Sequence, residues 1–524
     1  MKELSAAETN QLLEAATDFA FYPGILNEAS VKEFLDRFPL PFIINALQTK
    51  AVVPGLENAL VNCLERIFRT KYGSSLIPQY MSLLQVGLQA DSEAVRCLTC
   101  KIVSFLFEDL NDKSVHPSQL IITYNIYPLL LLCLVNGDER VAAASMDAIK
   151  SIASSSEGIA TIFPAESSEA TDLKHLAAKC SSLGRVRILS LIVKLFSVSR
   201  AVAEVIASLN LLGLIEAEVR KTDDTLATLN ALELLFEIAE SEHASEFLPK
   251  TSLLQILGSI IRNASLESML RSRAVVISGR MLSRENIFTF IDETSALAIL
   301  SDIIGRLTSP ETIDDNECES AIETVGLIGS SKSGAEFLLL RSLEAARFLG
   351  QAAFDRHKGG KQLAALHAFG DIVGASRSED RILLKGEAEE ILRRLIYEIA
   401  SKTSKLTPSG LFLSVLQQDS EMRLAGYRLI SSLVGRQWCL MEVCSRQEII
   451  SIVTDAYMET TKIGMEAKYN CCFAIQKALA NTNPKSDSAL AAISRKLQEA
   501  VKRGPFLAEK NRDAQPTVTT DQRF

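Results

Sequence analysis

Apolar side chains along this chain recur at steps of three and four residues, which is the period of an amphipathic α-helix. Over residues 226–238, Leu and Phe occupy one helical face, while Asn230, Glu233 and Glu237 take the opposite face. No comparable run alternates apolar and polar residues between Asn-Gly or Asp-Gly turns, the pattern that predicts a β-hairpin. The pattern therefore predicts an all-α protein.

The same helical unit repeats along the chain. Each copy has a polar turn, a start rich in Val, Leu and Arg, an apolar helix of about twelve residues and a stop rich in Ser or Gly. Successive copies lie about 40–47 residues apart, the period of HEAT and armadillo repeats, apart from one longer interval. The copies begin near Asp91, Gly137, Gly184, Thr225, Ser272, Cys318, Gln362, Met422 and Lys468.

A second, shorter motif follows several of these helices. Residues 155–160 resemble residues 331–338, and residues 241–248 form a third version. A Ser or Gly ends one helix and a new N-cap begins a short one, which is more typical of armadillo than of plain HEAT repeats. The predicted fold class is an all-α, right-handed superhelical solenoid of armadillo/HEAT-like repeats.

The pattern also predicts how the chain is organised. We expect an N-terminal helical cap and the first repeats over residues 1–80, and a solenoid continuous with it over 81–500. The longer interval contains Thr407-Pro408-Ser409-Gly410, so we expect an inserted loop around residues 402–410. Residues 505–524 lose the apolar periodicity and are expected to form a disordered C-terminal tail.

Composition narrows the classes of function. A net charge of −9 argues against a nucleic-acid partner, which requires an excess of Lys and Arg. The N-terminus shows no signal peptide, and the most apolar run, residues 128–135, is too short to span a bilayer, so no membrane partner is expected. Ten scattered Cys indicate reduced thiols. We expect a protein that is monomeric by itself, in the cytoplasm and also in the nucleus.

Chemical motifs do not predict an active site. Gly359-Gly360-Lys361 lacks the first Gly of a phosphate loop, because that position is Asp355. Cys97 and Cys100 have metal-ligand spacing without a second pair, and buried thiols on one helix explain them. The five His residues are dispersed and match no catalytic signature. We therefore predict a protein without catalytic residues, metal or cofactor, and not an enzyme.

Stacked helix pairs offer instead a long surface to which each repeat contributes contacts. The second helix of each unit is expected to line it, and an ordinary solvated helix face remains the alternative at every position. Tyr427 and Tyr469 are favoured because exposed aromatics are enriched at binding hot spots. The partner-binding candidates are Glu233, Glu237, His367, Asp371, Arg423, Tyr427, Lys468, Tyr469 and Lys477.

Several segments resemble one known family. The run 323–330, Glu-Thr-Val-Gly-Leu-Ile-Gly-Ser, is similar to an Asp-Thr-Val-Gly-Ile-Leu-Gly-Ser run of the 26S proteasome non-ATPase regulatory subunit 5 family. Gln437-Trp438, Ala467-Lys468-Tyr469, residues 477–481 and Gly504-Pro505-Phe506 also resemble segments of that family in order and spacing. The sequence departs from the family in its longer, charged C-terminal tail and in lacking Pro before Trp438.

The resemblance implies an assembly chaperone for the base of the 26S proteasome regulatory particle. Such a protein binds the C-terminal domains of base ATPase subunits, accompanies assembly intermediates and is released before the particle matures. The alternative is an armadillo-type adaptor for another protein complex, in trafficking or the ubiquitin pathway. The nuclear import adaptors are disfavoured, because their ladder of Trp residues is absent and Trp438 is the only Trp.

Overall fold

The computed structural model describes residues 6–24, 27–48, 53–108, 116–165, 169, 171–308, 315–356, 360–482 and 488–506. It divides into two compact units, unit 1 with residues 1–221 and 233–247, and unit 2 with residues 222–232 and 248–524. Throughout the described part the regular structure is helical, without a β-strand. The predicted all-α, helical-repeat class is confirmed. The boundaries predicted at residues 80 and 500 stay a prediction, and residues 507–524 of the predicted tail lie outside the described residues.

Unit 1 is built from helices of unequal length, with a short 3-10 helix at Ile77–Tyr80. Its α-helices are α1 (Ala6–Ala20), α2 (Glu28–Arg37), α3 (Leu40–Gln48), α4 (Leu56–Phe68), α5 (Lys71–Leu76), α6 (Met81–Gly87), α7 (Glu93–Glu108), α8 (Pro117–Thr123), α9 (Ile126–Asn136), α10 (Glu139–Ile152), α11 (Ser156–Ile162), α12 (Leu173–Lys179), α13 (Ser182–Phe196), α14 (Arg200–Ser208), α15 (Leu212–Val219), the second half of α16 (Thr225–Glu240) and α17 (Ala244–Phe247).

Unit 2 begins with the first half of α16 and has 3-10 helices at Leu248–Lys250, Ile287–Thr289 and Glu379–Arg381. Its further α-helices are α18 (Leu253–Arg262), α19 (Ser268–Leu282), α20 (Glu293–Thr308), α21 (Asp315–Ser330), α22 (Lys332–Arg341), α23 (Leu343–Phe354), α24 (Gly360–Val373), α25 (Gly386–Ser401), α26 (Pro408–Leu416), α27 (Ser420–Leu433), α28 (Gln437–Ser445), α29 (Gln447–Thr454), α30 (Lys462–Ala480) and α31 (Ser488–Arg503).

The long helices carry the repeat. Each copy recognised in the sequence coincides with one of them: α7, α10, α13, α16, α19, α21, α24, α27 and α30. In unit 2, α19 packs on α21, α21 on α24, α24 on α27 and α27 on α30, while in unit 1 the row runs α1, α4, α7, α10, α13. Each long helix buries an apolar face against its neighbours, and this burial is the main source of stability.

The short motif after the long helices is an N-cap with a close glycine. Ser331 accepts a hydrogen bond from the N–H of Gly334 at 3.1 Å, and Ser155 accepts one from Gly158 at 3.0 Å. A Cβ on Gly334 would lie 2.0 Å from the carbonyl oxygen of Ile328, so no larger residue fits there. The Ser-x-x-Gly motif therefore marks the point where the chain folds back against the preceding long helix. A new short helix begins there, as the sequence predicted.

The arginines near the start of the long helices cap earlier segments. Arg96 donates to the carbonyl of Ala90 at 2.9 Å, Arg187 to that of Gly137 at 2.7 Å and Arg423 to that of Gln418 at 2.7 Å. Carbonyls at the end of a helix lack intrahelical partners and carry partial negative charge, so a guanidinium satisfies both needs. This explains why Arg recurs at that position of the repeat.

Most of the extra length of the longest repeat lies in a different connection from the one predicted. The longest connection between α24 and α27 is residues 374–385, between α24 and α25. The region around 402–410 contributes only residues 402–407 as a connection, because Thr407 caps α26 and accepts from the N–H of Gly410 at 3.2 Å. The loop predicted at 402–410 is present as the connection 402–407, but the larger insertion, at residues 374–385, was not predicted.

Within the described residues no single helix is long and apolar enough to cross a membrane. One bent pair, α8 with α9, meets the criteria of length and composition together, with an angle of 77° between its members. Much of α9 is buried inside unit 1, where Leu130 and Leu134 are fully covered.

The ten thiols give a direct test of the packing. Eight are buried and only Cys97 and Cys180 are partly exposed, and burial raises the pKa of Cys471 to about 12. Because only a thiolate attacks a disulfide reagent, a covered thiol with a raised pKa stays protonated and unreactive at pH 8. We expect 5,5′-dithiobis(2-nitrobenzoate) to titrate about two thiols rapidly in the native protein and all ten in guanidinium chloride. Rapid reaction of most thiols in the native protein would contradict this packing.

Candidate functional site

The nine predicted binding residues all lie on long helices, but the structure gives them different surroundings. Glu233 and Glu237 are exposed on α16, four residues apart on one face. Tyr469 is partly exposed on α30, where its ring stacks on that of Phe473 with centroids 6.5 Å apart. Phe473 is itself 44% exposed, so this pair presents aromatic surface to solvent.

Tyr427, Arg423 and Lys468 are held inside unit 2. The expectation that Tyr427 is exposed was wrong: its side chain is fully buried and its hydroxyl donates to Glu459 at 2.9 Å. Arg423 pairs with the same carboxylate at 2.6 Å, and Glu459 is only 2% exposed. The Nζ of Lys468 donates to the carbonyl of Asp455. These groups tie α27 and α30 to the connection between α29 and α30.

Burial sets the pKa of two of these groups. Burial, with the neighbouring Glu459 carboxylate, raises the pKa of Tyr427 well above its ordinary value. Burial lowers the pKa of Lys468, although Asp455 and Glu459 oppose that shift. Sequence periodicity predicted that these side chains lie on an exposed helix face. It could not show that residues 455–461 lie over this end of α27 and α30 and cover them.

His367 and Asp371 meet an arginine that the sequence did not single out. Arg428, on α27, pairs with Asp371 at 2.5 Å and lies 3.4 Å from Nδ1 of His367. Asp371 also accepts from the hydroxyl of Ser376 at 2.5 Å. Burial and the nearby Arg428 cation lower the pKa of His367, so its imidazole is neutral at neutral pH.

These residues border a groove between α24, α27, α30 and the connection 374–385. The groove encloses a cavity of about 370 Å³. Lys477 on α30 reaches across to the connection and pairs with Glu379 at 2.7 Å. Of the predicted positions, His367 lines this cavity and Asp371 borders it through its ion pair with Arg428. We call this cavity the arginine groove, and its lining includes His367, Arg377, Leu424, Arg428, Ser431 and Asn470.

Arg377 and Arg436 were missed by sequence analysis. Arg436 is 4% exposed, pairs with Glu389, and donates to the carbonyl of Ser432 at 2.9 Å and that of Val373 at 3.2 Å. Arg377 donates through Nη2 to the carbonyls of Asp371 and Ile372, at the end of α24. Both arginines donate to backbone carbonyls at helix ends, as the arginines of the repeats do. No periodic sequence signal predicts this role for them.

The candidate metal ligands are also separate. Among the described residues, no group of three or more His, Cys, Asp and Glu side chains is placed to hold a metal ion. Cys97 and Cys100 both lie on α7, where Cys100 is buried and Cys97 is partly exposed.

A family model and a mouse relative agree with the resemblance seen in the sequence. A family model described as "Proteasome non-ATPase 26S subunit" matches residues 56–522. The mouse (Mus musculus) 26S proteasome non-ATPase regulatory subunit 5 is 20% identical over 476 residues, covering 88% of this chain and 86% of the mouse protein. A crystal structure of an engineered protein matches with a TM-score of 0.40 and 14% identity, covering 80% of this chain and 98% of that one.

Proposed function

This chain belongs to the proteasome non-ATPase 26S subunit family, and on that premise we propose that it is a scaffold that assists assembly of the 26S proteasome. The observation that carries the proposal is the family match over residues 56–522, which includes nearly all the repeats. The mouse relative carries the name of a regulatory subunit and aligns along most of both chains. We propose that the chain acts by binding proteins and not by catalysis.

The partners we propose are the C-terminal domains of the ATPase subunits in the base of the regulatory particle. The chain would hold these subunits in assembly intermediates and leave before the particle matures. Successive long helices each expose side chains, so several repeats can contribute weak contacts to one partner domain. A surface of this kind releases its partner when neighbouring subunits compete for it, and needs no nucleotide. We place the protein in the cytoplasm and also in the nucleus, as a monomer when it has no partner.

Affinity purification of the tagged full-length chain tests this function. We expect mass spectrometry to find base ATPase subunits strongly enriched and subunits of the proteolytic core nearly absent. Recovery of no ATPase subunit from cells that express both proteins would contradict the proposed partners. Recovery of complete proteasomes in equal amount would contradict release before maturation.

A charge reversal on the exposed face of α16 refines this test. Glu237→Lys is expected to weaken capture about tenfold, which corresponds to about 1.4 kcal/mol. Interface charges act through complementarity and steering, so reversing one affects binding without affecting folding. Glu204→Lys, at an exposed position of α14, makes the same change of charge elsewhere and is the matched control. Equal loss of capture in both variants would show that total charge, not α16, decides binding.

A further inference from the structure

A cavity of about 410 Å³ lies within unit 1, between α3, α4, α6 and α7. Clefts that bind ligands measure about 300–1,000 Å³ and are mostly apolar. Leu64 of α4 and Leu98 of α7 are each 3% exposed and form its floor, whereas Val86 of α6 is 56% exposed at its rim. We call this cavity the apolar groove, and its lining includes Leu47, Leu64, Phe68, Leu83, Val86 and Leu98.

The apolar groove lies in the row of shorter helices that precede the long ones. α3 packs on α4 and α6 packs on α7, so each covers part of the long helix that follows it. α6 also packs on α9, the helix that precedes α10, whereas α3 and α6 share the lining of the groove. Because helices form the walls of the groove, a further helix can lie along it and bury its own apolar face there.

The charged side chains in the lining of the apolar groove are acidic. They are Glu57, at the start of α4, and Asp91, just before α7, and no Lys or Arg is among the described lining residues. Glu57 is exposed and accepts a hydrogen bond from the neutral hydroxyl of Ser92, and no described cation pairs with it. Its charge is therefore available to a cation of a partner.

The cations of α4 and α7 do not cancel this charge. Arg96 and Lys101, on α7, form ion pairs with carboxylates that are not part of the lining. Arg66, on α4, donates to backbone carbonyls at and after the end of α1. Arg69 follows the opposite end of α4 from Glu57. The rim of the apolar groove therefore has a negative charge.

We propose that the apolar groove binds an amphipathic α-helix of the partner polypeptide, whose apolar face covers the lining and whose Lys or Arg meets Glu57. Helices dock into apolar grooves through side chains at positions i, i+3, i+4 and i+7. A neutral small ligand would cover the apolar lining but leave the acidic rim without a counter-charge, so the chemistry favours a helix that supplies both. The identity of the partner rests on the function proposed above, whereas the chemistry of the groove does not.

Three labelled peptides of about five helical turns measure this binding to the full-length chain by fluorescence anisotropy. The first has Leu on one helical face and Lys on the other, the second has Glu in place of each Lys, and the third has the composition of the first with its Leu spread around the helix. We expect the first peptide to bind at least about fivefold more tightly than the other two. Binding of the first peptide no tighter than that of either other peptide would overturn the proposal.

A pair of variants at exposed apolar positions locates the site. Val86→Asp is expected to weaken the lysine peptide about tenfold, because it places a charge where the apolar face must dock. Ile122→Asp, on α8, makes the matched change at a position that is also 56% exposed, and is expected to leave the affinity unchanged. Both positions are exposed, so both variants should fold, which circular dichroism checks. Wild-type affinity in Val86→Asp, or an equal loss in both variants, refutes the site.

A charge reversal tests the contact with Glu57. Glu57→Lys is expected to weaken the lysine peptide and to strengthen the glutamate peptide, whereas Glu204→Lys, on α14, makes the same change of total charge and alters neither. Equal effects of the two reversals would mean that total charge decides, against a contact at Glu57. The dye Nile red tests the small-ligand alternative. Dye that Val86→Asp removes but the lysine peptide does not displace would assign the groove to a small apolar ligand and overturn the helix.

The apolar groove and the assembly function fail separately, because the peptides decide the first and the capture of ATPase subunits decides the second. If the lysine peptide binds as expected and no ATPase subunit is captured, the groove stands and the assembly function is refuted. If ATPase subunits are captured but the lysine peptide binds no better than its controls, the groove is refuted and the assembly function stands.

Discussion

Glu459→Ala is expected to lower the free energy of unfolding of unit 2 by about 3–5 kcal/mol, the cost of breaking a buried ion pair. The carboxylate of Glu459 accepts from Nε of Arg423 at 2.6 Å, from Nη2 at 3.1 Å and from the hydroxyl of Tyr427 at 2.9 Å. Without it, a mostly covered guanidinium and a covered hydroxyl lose their partner together. Hydrogen exchange of peptides from α27 and α30, followed by mass spectrometry, measures the loss locally.

Glu390→Ala is the control for this experiment. Its carboxylate pairs with Arg393 at 3.2 Å and with Arg394 at 3.0 Å, on the exposed face of α25. Exposed pairs contribute about 0–1 kcal/mol because water screens them and the side chains lose freedom. If Glu459→Ala cost no more than Glu390→Ala, the buried network would not hold α27 and α30 together.

Gly326→Ala is expected to destabilise unit 2 by about 1–3 kcal/mol, the usual cost of overpacking a core. A Cβ at this position of α21 would lie 2.6 Å from the Cα of Ala368 on α24. The obstacle is backbone and cannot rotate away, so the two helices must separate. Gly329, one turn further along α21, meets Ile372 in the same way, with a Cβ 2.4 Å from its Cγ1. Urea denaturation followed by circular dichroism measures the effect.

Gly305→Ala makes the identical change at another helical glycine. Position 305 is exposed on α20, and nothing lies within 4 Å of an added Cβ. Replacing glycine by alanine at an exposed helical position stabilises the folded protein by roughly 0.5–1 kcal/mol. The reason is that a chain with glycine loses more backbone entropy on folding than a chain with alanine. The two substitutions should therefore shift the urea midpoint in opposite directions. A shift in the same direction would mean that α21 and α24 do not approach so closely.

These glycines explain part of the family resemblance. The run 323–330, which resembled the regulatory subunit 5 family, contains both Gly326 and Gly329. In the structure Gly326 and Gly329 lie where α21 packs closely on α24. The run therefore indicates close helix packing. Its spacing reflects a demand of the fold, while the partner would be recognised by side chains on the exposed faces.

The long helices could be predicted from the sequence because each needs an apolar stripe with the helical period. The N-caps at Ser155 and Ser331 could be predicted because a hydroxyl three residues before a glycine is a local signal. Exposure at single positions was less certain. Glu233 and Glu237 are exposed as the pattern predicted, but Tyr427, on the same kind of helix, is covered by residues outside it.

The groove is the feature that local patterns could not give. Arg377 and Arg428 lie 51 residues apart in the sequence, and Asn470 follows another 42 residues later. They line one cavity because α24, α27 and α30 pack side by side and the connection 374–385 folds over their ends. Residues 374–385 show no helical periodicity. The sequence pattern therefore could not show that Arg377 lines this groove.

The sequence by itself determined the helical class and the repeat and, through resemblance, the family. Periodicity and short motifs are local properties of the sequence, so they can be recognised without the tertiary structure. Only the tertiary structure decided which polar side chains face each other and which remain without a partner. The physical reason is that burial and charge balance depend on neighbours distant in sequence. Glu459 reaches Arg423 and Tyr427 across more than thirty residues, while nothing described reaches the buried nitrogens of Arg377.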